Sequence, residues 1–438
     1  MGINGFGNFY KNNCAKEKEV NNFLGDVLVI DAIFQLFRYA IAYRKKGKDM
    51  CNPQGERIIH LWALMKYTLY LLRIGITPFY VFDGKSPDLK KDTIENRNTI
   101  KSKALVKLLN LEDDKESKEY IKNFKKTYSL TSQEIKDCLE LLDLMGIPNI
   151  RAKGEADSYC AALSKTDKFY GVISNDTDLL VFGAKKLLKN FSGKKTVEEI
   201  SLEDVYKFTK FKANEILMAH NKDPINDNFI THEMFVDFSI LLGSDYTPHI
   251  KGFDSKLLFE QFVLNEFNID KTIAALKNMI TSLPKNKHDA FIPENFLEKA
   301  HKAKQYYLQY VSTNIEIDKA TYALREPNKE KLHSFLCEKH GFTEQSVVNF
   351  TEELEKFYFT LRAFNNKKND SAFKSFRGYQ FKYYQNLFDP KISKNKNRLY
   401  KGNFIKQKHK EITKPVKKTN IINNNMTNRF ASLTFLDA

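Results

Sequence analysis

Seven carboxylates stand in five short boxes along the chain. Asp31 closes Val27-Leu28-Val29-Ile30-Asp31, and Asp83 closes Phe79-Tyr80-Val81-Phe82-Asp83. Glu155 and Asp157 follow Gly154, Asp176 and Asp178 follow Ile173-Ser174-Asn175, and Asp245 follows Leu241-Leu242-Gly243-Ser244. Each box also has an ordinary reading. Asp83-Gly84 fits a turn after a strand, Asp31 fits a helix N-cap, and Glu155 with Asp157 suits the positive end of a helix dipole. Their joint occurrence argues for more. Apolar runs that each deliver a carboxylate to one edge of a sheet would build an all-oxygen cage for hard divalent cations. Such a cage points to metal-assisted chemistry on phosphate.

The elements that must position these acids follow from apolar patterning. Residues 26–31, 77–83, 169–174 and 186–191 are β-rich apolar runs. Between the first two, Leu61, Leu64, Tyr67, Leu71 and Leu72 fall at helical spacing. Strands alternating with helices predict an α/β fold, a mostly parallel sheet with helices on both faces. Sheets of this kind bind ligands outside the carboxyl ends of their strands, where Asp31, Asp83 and Asp176 fall. Residues 90–126, rich in Lys, Glu and Asp, read as solvated helices that leave the core. From about 201 to 360 the pattern is helical, with no internal repeat. The predicted division is 1–110, an N-terminal region with the start of the solvated helices; 111–260, an internal region; 261–360, a helical C-terminal part; and 361–438, a basic, flexible tail.

Composition narrows the function classes. The 438 residues are 42% hydrophobic, enough to bury a large core. The net charge is +16, and residues 361–438 hold 18 Lys and Arg against Asp370, Asp389, Glu411 and Asp437. The tail therefore carries +14 and the first 360 residues only +2. A near-neutral body with a basic tail is expected of a protein that grips a polyanion; the ordinary alternative is a solubilising appendage. Five cysteines (Cys14, Cys51, Cys138, Cys160, Cys337) form no C-x-x-C pair, which fits a reduced intracellular protein without a zinc site. No apolar run reaches the roughly 18 residues of a membrane span, and the N-terminus lacks the pattern of a signal peptide.

Several boxes together resemble the flap endonucleases of the xeroderma pigmentosum group G (XPG) family, structure-specific 5′ nucleases. The start Met1-Gly2-Ile3 resembles the family's opening. Ile76-Thr77-Pro78-Phe79-Tyr80-Val81-Phe82-Asp83-Gly84-Lys85-Ser86-Pro87 is similar to its N-terminal box. Gly146-Ile147-Pro148 through Gly154-Glu155-Ala156-Asp157 resembles the internal box, with Asp157 where the family more often has Glu. Phe235 through Pro248 resembles the final acid box, and the likeness runs to about residue 360, including Arg325-Glu326-Pro327-Asn328. The resemblance implies a PIN-like nuclease core with a helical arch and a helical C-terminal part. It implies a Mg²⁺-dependent enzyme that cleaves 5′-flap branched DNA in replication and repair. Two Mg²⁺ ions, replaceable by Mn²⁺, would be held by Asp31, Asp83, Glu155 and Asp157 on one side and Asp176, Asp178 and Asp245 on the other. Lys90 and Arg97 would act at the foot of the arch. Gly2, Phe37, Arg44, Gly252 and Lys256 would contact DNA, Phe37 by stacking on a base.

The spacing of 72 positions between Asp83 and Glu155 leaves room for two arch helices. A 5′→3′ exonuclease of the same family shares the cage, and a non-catalytic DNA-binding replication factor is the alternative from another class. The chain also departs from the family pattern. In the helix-hairpin-helix segment Thr247 through Lys256, His249 and Asp254 replace glycines, and Asp254 puts negative charge where phosphate would come. Extra sequence falls near residues 212–228. The segment Phe430-Ala431-Ser432-Leu433-Thr434-Phe435-Leu436-Asp437 is the nearest match to a sliding-clamp box but lacks its Gln and aromatic pair. The expected partner is branched or flapped DNA, the expected state a monomer, and the expected location the nucleus or, for a viral chain, an intracellular site of DNA replication.

Overall fold

The computed structural model describes residues 2–44, 47–111, 114–282, 290–313 and 315–367. The basic segment from residue 368, with the clamp-like box at 430–437, lies outside these.

Among the described residues seven strands form one sheet: β1 (Ala15–Glu19), β2 (Val27–Asp31), β3 (Thr77–Phe82), β4 (Asn149–Arg151), β5 (Gly171–Ile173), β6 (Lys186–Lys189) and β7 (Thr196–Ser201). Their order is β1-β7-β6-β5-β2-β3-β4. The five from β6 to β4 run parallel, while β7 and β1 close one edge antiparallel. The four apolar runs read as strands are β2, β3, β5 and β6, and they make the middle of the sheet.

Alternation along these strands divides the interior in two. Val29, Phe79, Val81, Val172 and Leu187 face one core, and Leu28, Ile30, Tyr80, Phe82, Ile173 and Leu188 face the other. Side chains two apart on a strand share a face, so continuous apolar runs bury both faces at once. Helix α1 (Ala32–Tyr43), α2 (Ile59–Arg73) and α5 (Ser132–Leu144) cover the second face. Against the first lie α6 (Ala156–Ser164), α8 (Leu202–Ala219), α9 (His232–Leu242), α10 (Ser255–Leu264), α11 (Ile269–Ser282) and α12 (Phe296–Val311). Between α6 and α8 lies the single turn α7 (Asp178–Val181). The mostly parallel α/β sheet with helices on both faces is thus borne out.

Two helices leave the body, as the charged pattern predicted. They are α3 (Lys91–Leu109), in which only Ala104 is buried, and α4 (Lys118–Lys126). Residues 212–228, read as extra sequence, form the end of α8 and a loop fixed by Ile225 N–H donating to Asn214 Oδ1 at 2.8 Å. The last helix, α13 (Glu344–Lys367), buries Leu361 and Phe364, so the first seven residues of the segment read as tail belong to the folded body. Among the described residues no helix is long and apolar enough to cross a membrane.

Candidate active site

The sheet delivers the acids to one edge. In the parallel register Asp31 stands beside Val81, two residues before Asp83, and Asp176 follows β5 by three. Asp31 both ends β2 and caps α1, accepting from Phe34 N–H at 3.0 Å. Asp83 accepts from Ala156 N–H at 2.7 Å, which pins the β3 end to the start of α6. A Cβ on Gly84 would lie 2.1 Å from Ala152 O, so only glycine lets these two boxes lie side by side. Asp176 accepts from Asp178 N–H at 3.1 Å, curling that loop so both acids reach the same place.

All seven carboxylates are coupled by charge. Asp31 faces Asp83 and Asp176; Asp157 faces Asp176, Asp31 and Asp83; Asp178 faces Asp176 and Asp245; and Glu155 acts on Asp83. Burial first, then mutual repulsion, raises the carboxyls of Asp31, Asp83, Asp157, Asp176 and Asp178. For Asp31 the value is pushed up to about 8. Crowded, buried, like-charged oxygens hold protons unless a cation takes their place.

Two side chains supply countercharge. Lys90 is buried and donates to Glu155 Oε1. Burial works against its charge, but Glu155 and Asp157 outweigh it and hold the ammonium pKa above its ordinary value. Arg97 is half-exposed and donates to Asp245 Oδ2 at 2.6 Å, while Thr93 Oγ1 donates to Asp245 O at 2.7 Å. The foot of α3 is thereby tied to the last acid box. The N-terminus enters the same place. Ile3 N–H donates to Thr177 Oγ1 at 2.9 Å and Asn4 N–H to Gly243 O at 2.9 Å. Gly2 has φ +93°, and a Cβ there would meet Thr177 Oγ1 at 2.4 Å and Asp176 Oδ1 at 2.5 Å.

The donor set suits a hard divalent cation: it is oxygen only, buried and strained by its own negative charge. Among the described residues no three His, Cys, Asp or Glu side chains already form a ready-made metal site. Glu155 and Asp245 turn their oxygens toward Lys90 and Arg97 instead.

The other expected contacts are scattered. Phe37 is half-buried with its ring 5.1 Å from Tyr128. Arg44 is buried: its Nε lies 2.8 Å from Asp49 Oδ1, and its guanidinium sits 3.8 Å above the Phe124 ring of α4. A phosphate would reach it only by displacing Asp49. Gly252 and Lys256 are exposed at the hairpin. Asp254 there caps α10, accepting from Leu257 N–H at 2.8 Å, which gives its charge a structural use. Sequence reasoning missed three hydroxyls on the acids. Tyr246 donates to Glu155 Oε2 at 2.5 Å, Tyr306 to the same oxygen at 3.1 Å, and Tyr307 to Asp178 Oδ1 at 3.3 Å. The pair Tyr306-Tyr307 in a helical stretch was the available signal.

Known proteins carry the same pattern. The chain matches the XPG N-terminal domain over residues 1–104 and the XPG I-region over 146–245. Flap endonuclease 1 of Nematostella vectensis is 30% identical over 393 residues, covering 90% of this chain and 95% of that protein. Flap endonuclease 1-A of Xenopus laevis is 32% identical, covering 78% and 82%. Among solved structures, flap endonuclease-1 from Methanococcus jannaschii superposes with a TM-score of 0.54 at 22% identity, over 81% of this chain and 98% of that one. The catalytic core of Rad2 in complex with DNA substrate does so with 0.54 at 21%, over 81% and 99%.

Proposed function

This chain belongs to the flap endonucleases of the XPG family, and we propose that its acidic edge cuts 5′-flap branched DNA with two Mg²⁺ ions. It is a structure-specific 5′ nuclease, a hydrolase of phosphodiester bonds acting in DNA replication and repair. The observation that carries the metal reading is the crowding of carboxylates at one edge of the parallel sheet, with their protons held by burial first and by mutual repulsion second. Asp31, Asp83, Glu155 and Asp157 would hold one ion and Asp176, Asp178 and Asp245 the other. Once bound, the ions supply charge for the phosphate oxygens and an activated water.

The chain's own groups do the rest. Lys90 and Arg97 present fixed positive charge beside Glu155 and Asp245, where negative charge would develop on the phosphate. Gly2, lacking a side chain, leaves the approach to Asp176 open. Gly252 and Lys256 would meet the duplex at the exposed hairpin. Phe37 would stack on a base at the price of its contact with Tyr128. On the same reading the protein works as a monomer in the nucleus or at an intracellular replication site, and Mn²⁺ substitutes for Mg²⁺.

The test is product mapping on a 5′-labelled double-flap DNA. Asp176→Ala should abolish cleavage, by on the order of 10³-fold or more in rate, while DNA binding persists. Activity within about tenfold of the parent would remove Asp176 from the site.

A further inference from the structure

We propose that Tyr306 and Tyr307, neighbours on α12, are positioning residues of the nuclease reaction: their hydroxyls hold Glu155 and Asp178 in place at the acidic edge, so that few rearrangements separate these carboxylates from binding divalent cations. The proposal rests on the reading of the acidic edge as a cation cage. The two side chains leave α12 in different directions and reach acids from different boxes. Tyr306 shares Glu155 Oε2 with Tyr246, while Lys90 takes Oε1, so Glu155 is held at both oxygens. Tyr307 is fully buried and holds Asp178, the most deeply buried acid of the set.

The aromatic rings form the floor of this arrangement. Phe182 lies 4.7 Å from the Tyr307 ring, 5.8 Å from Tyr306 and 6.1 Å from Tyr246, centre to centre. Phenylalanine would fill that space as well, because packing needs the ring and not the oxygen. A hydroxyl at the end of a buried ring is unfavourable unless it is bonded, and here each is bonded to a carboxylate of the edge. The helix that carries them is itself anchored. Lys304 pairs with Asp237 at 2.8 Å and Glu233 at 2.7 Å on α9. Lys165, just after α6, donates to Tyr310 O at 2.9 Å and Val311 O at 2.7 Å, capping the end of α12. Lys299 pairs with Asp92 in the first turn of α3. A helix from the C-terminal part thus grips the acid box on one side and the foot of the arch on the other. Hydroxyl partners of ligating carboxylates orient them and tune the metal they bind.

The test uses the full-length protein with Tyr306→Phe, Tyr307→Phe and Asp176→Ala. Mn²⁺ binding without DNA is followed by electron paramagnetic resonance. Thermal melting, flap-DNA affinity, and single-turnover cleavage against Mg²⁺ concentration complete the set. Each Phe variant should bind Mn²⁺ roughly 10-fold more weakly and need correspondingly more Mg²⁺ for half-maximal cleavage, with cleavage restored at high Mg²⁺ and DNA affinity unchanged. Parent-like Mn²⁺ binding and Mg²⁺ dependence, with or without a lower melting temperature, would overturn the proposal, since a merely structural hydroxyl moves only the melting curve. If Tyr307→Phe fails to fold, Tyr306→Phe, at a half-buried site, decides alone. Asp176→Ala separates the two readings. If it binds Mn²⁺ like the parent, the cage itself is wrong. If it loses Mn²⁺ while the Phe variants do not, only the role of the tyrosines falls.

Discussion

Lys90 and Arg97 each pair with an acid of the edge, but from different environments, and the difference can be measured. Lys90 is buried against Glu155, so Lys90→Ala strands a buried carboxylate as well as removing a cation. Arg97 is half-exposed, and its loss frees an acid that water can still reach. Both substitutions should slow single-turnover cleavage more than they weaken binding, Lys90→Ala by roughly 10²–10³-fold and Arg97→Ala less. Weaker binding with an unchanged cleavage rate would mark them as surface charges. At this scale Asp31, Asp83, Asp176, Asp178 and Asp245 were legible because each follows an apolar run that had to be a strand or a buried helix, whereas Glu155 and Asp157 were legible only through the Gly154-Glu155-Ala156-Asp157 box itself. The tyrosines were not, because their partners depend on how α12 docks some 130 to 150 residues away in sequence from Glu155 and Asp178. Arg44 was legible only as a charge; its use against Asp49 and Phe124 depends on where α4 lands.

Elements with one dominant signal were read correctly, and those with mixed signals were not. The middle strands β2, β3, β5 and β6 are apolar on both faces. Strand β1 reads Ala-Lys-Glu-Lys-Glu, a charged edge that pairs only with β7, and β4 is three residues long. Neither has enough apolar surface to declare itself. The junction of α2 and α5 gives a prediction at this scale. Arg57 of the preceding loop donates two bonds of 2.6 Å to Glu134, and His60 is buried 3.5 Å from the same carboxylate. Burial pushes the His60 pKa down to about 4 from 6.5, against the pull of Glu134 and Asp137. Burial raises the Glu134 carboxyl, but Arg57 and the Thr131 backbone outweigh it and leave it lowered. Both groups therefore bind protons more readily in the unfolded chain, and both contributions are lost as pH falls. For His60 the loss begins below about 6.5 and runs to about 4. The slope for one proton is at most about 1.4 kcal/mol per pH unit. The raised carboxyls of the acidic edge act in the opposite direction. The readout is therefore the melting temperature of the parent minus that of His60→Asn from pH 8 to 4.5. This difference should shrink as pH falls, and a constant difference would show that His60 titrates alike in both states.

The whole molecule is a body of balanced charge whose two cores each draw on early, middle and late parts of the chain. Arg325 N–H donates to Gly146 O at 2.8 Å and Asn328 N–H to Leu144 O at 2.9 Å, joining the C-terminal part to the box that leads to Glu155. The helical end at Lys367 sets where a truncation can fall without opening the core, since Phe364 is fully buried. Residues 368–438 hold 16 Lys and Arg against four acids, so removing them takes away most of the net charge and none of the acidic edge. We predict that truncation after Lys367 leaves the cleavage position unchanged but weakens binding to every DNA alike. Each phosphate contact releases counterions, and log K falls with log salt at a slope of about −0.9 per contact. If about five tail cations engage phosphate, the full-length slope should be steeper than the truncated one by roughly 4 to 5. The hairpin gives a reason for such a tail, because Asp254 commits its charge to capping α10 at the point where a phosphate would approach. DNA affinity of both forms across a salt series decides the matter. Equal slopes would make the tail a solvated appendage and move the whole duplex grip onto the body, with Lys256 and its neighbours the first residues to substitute.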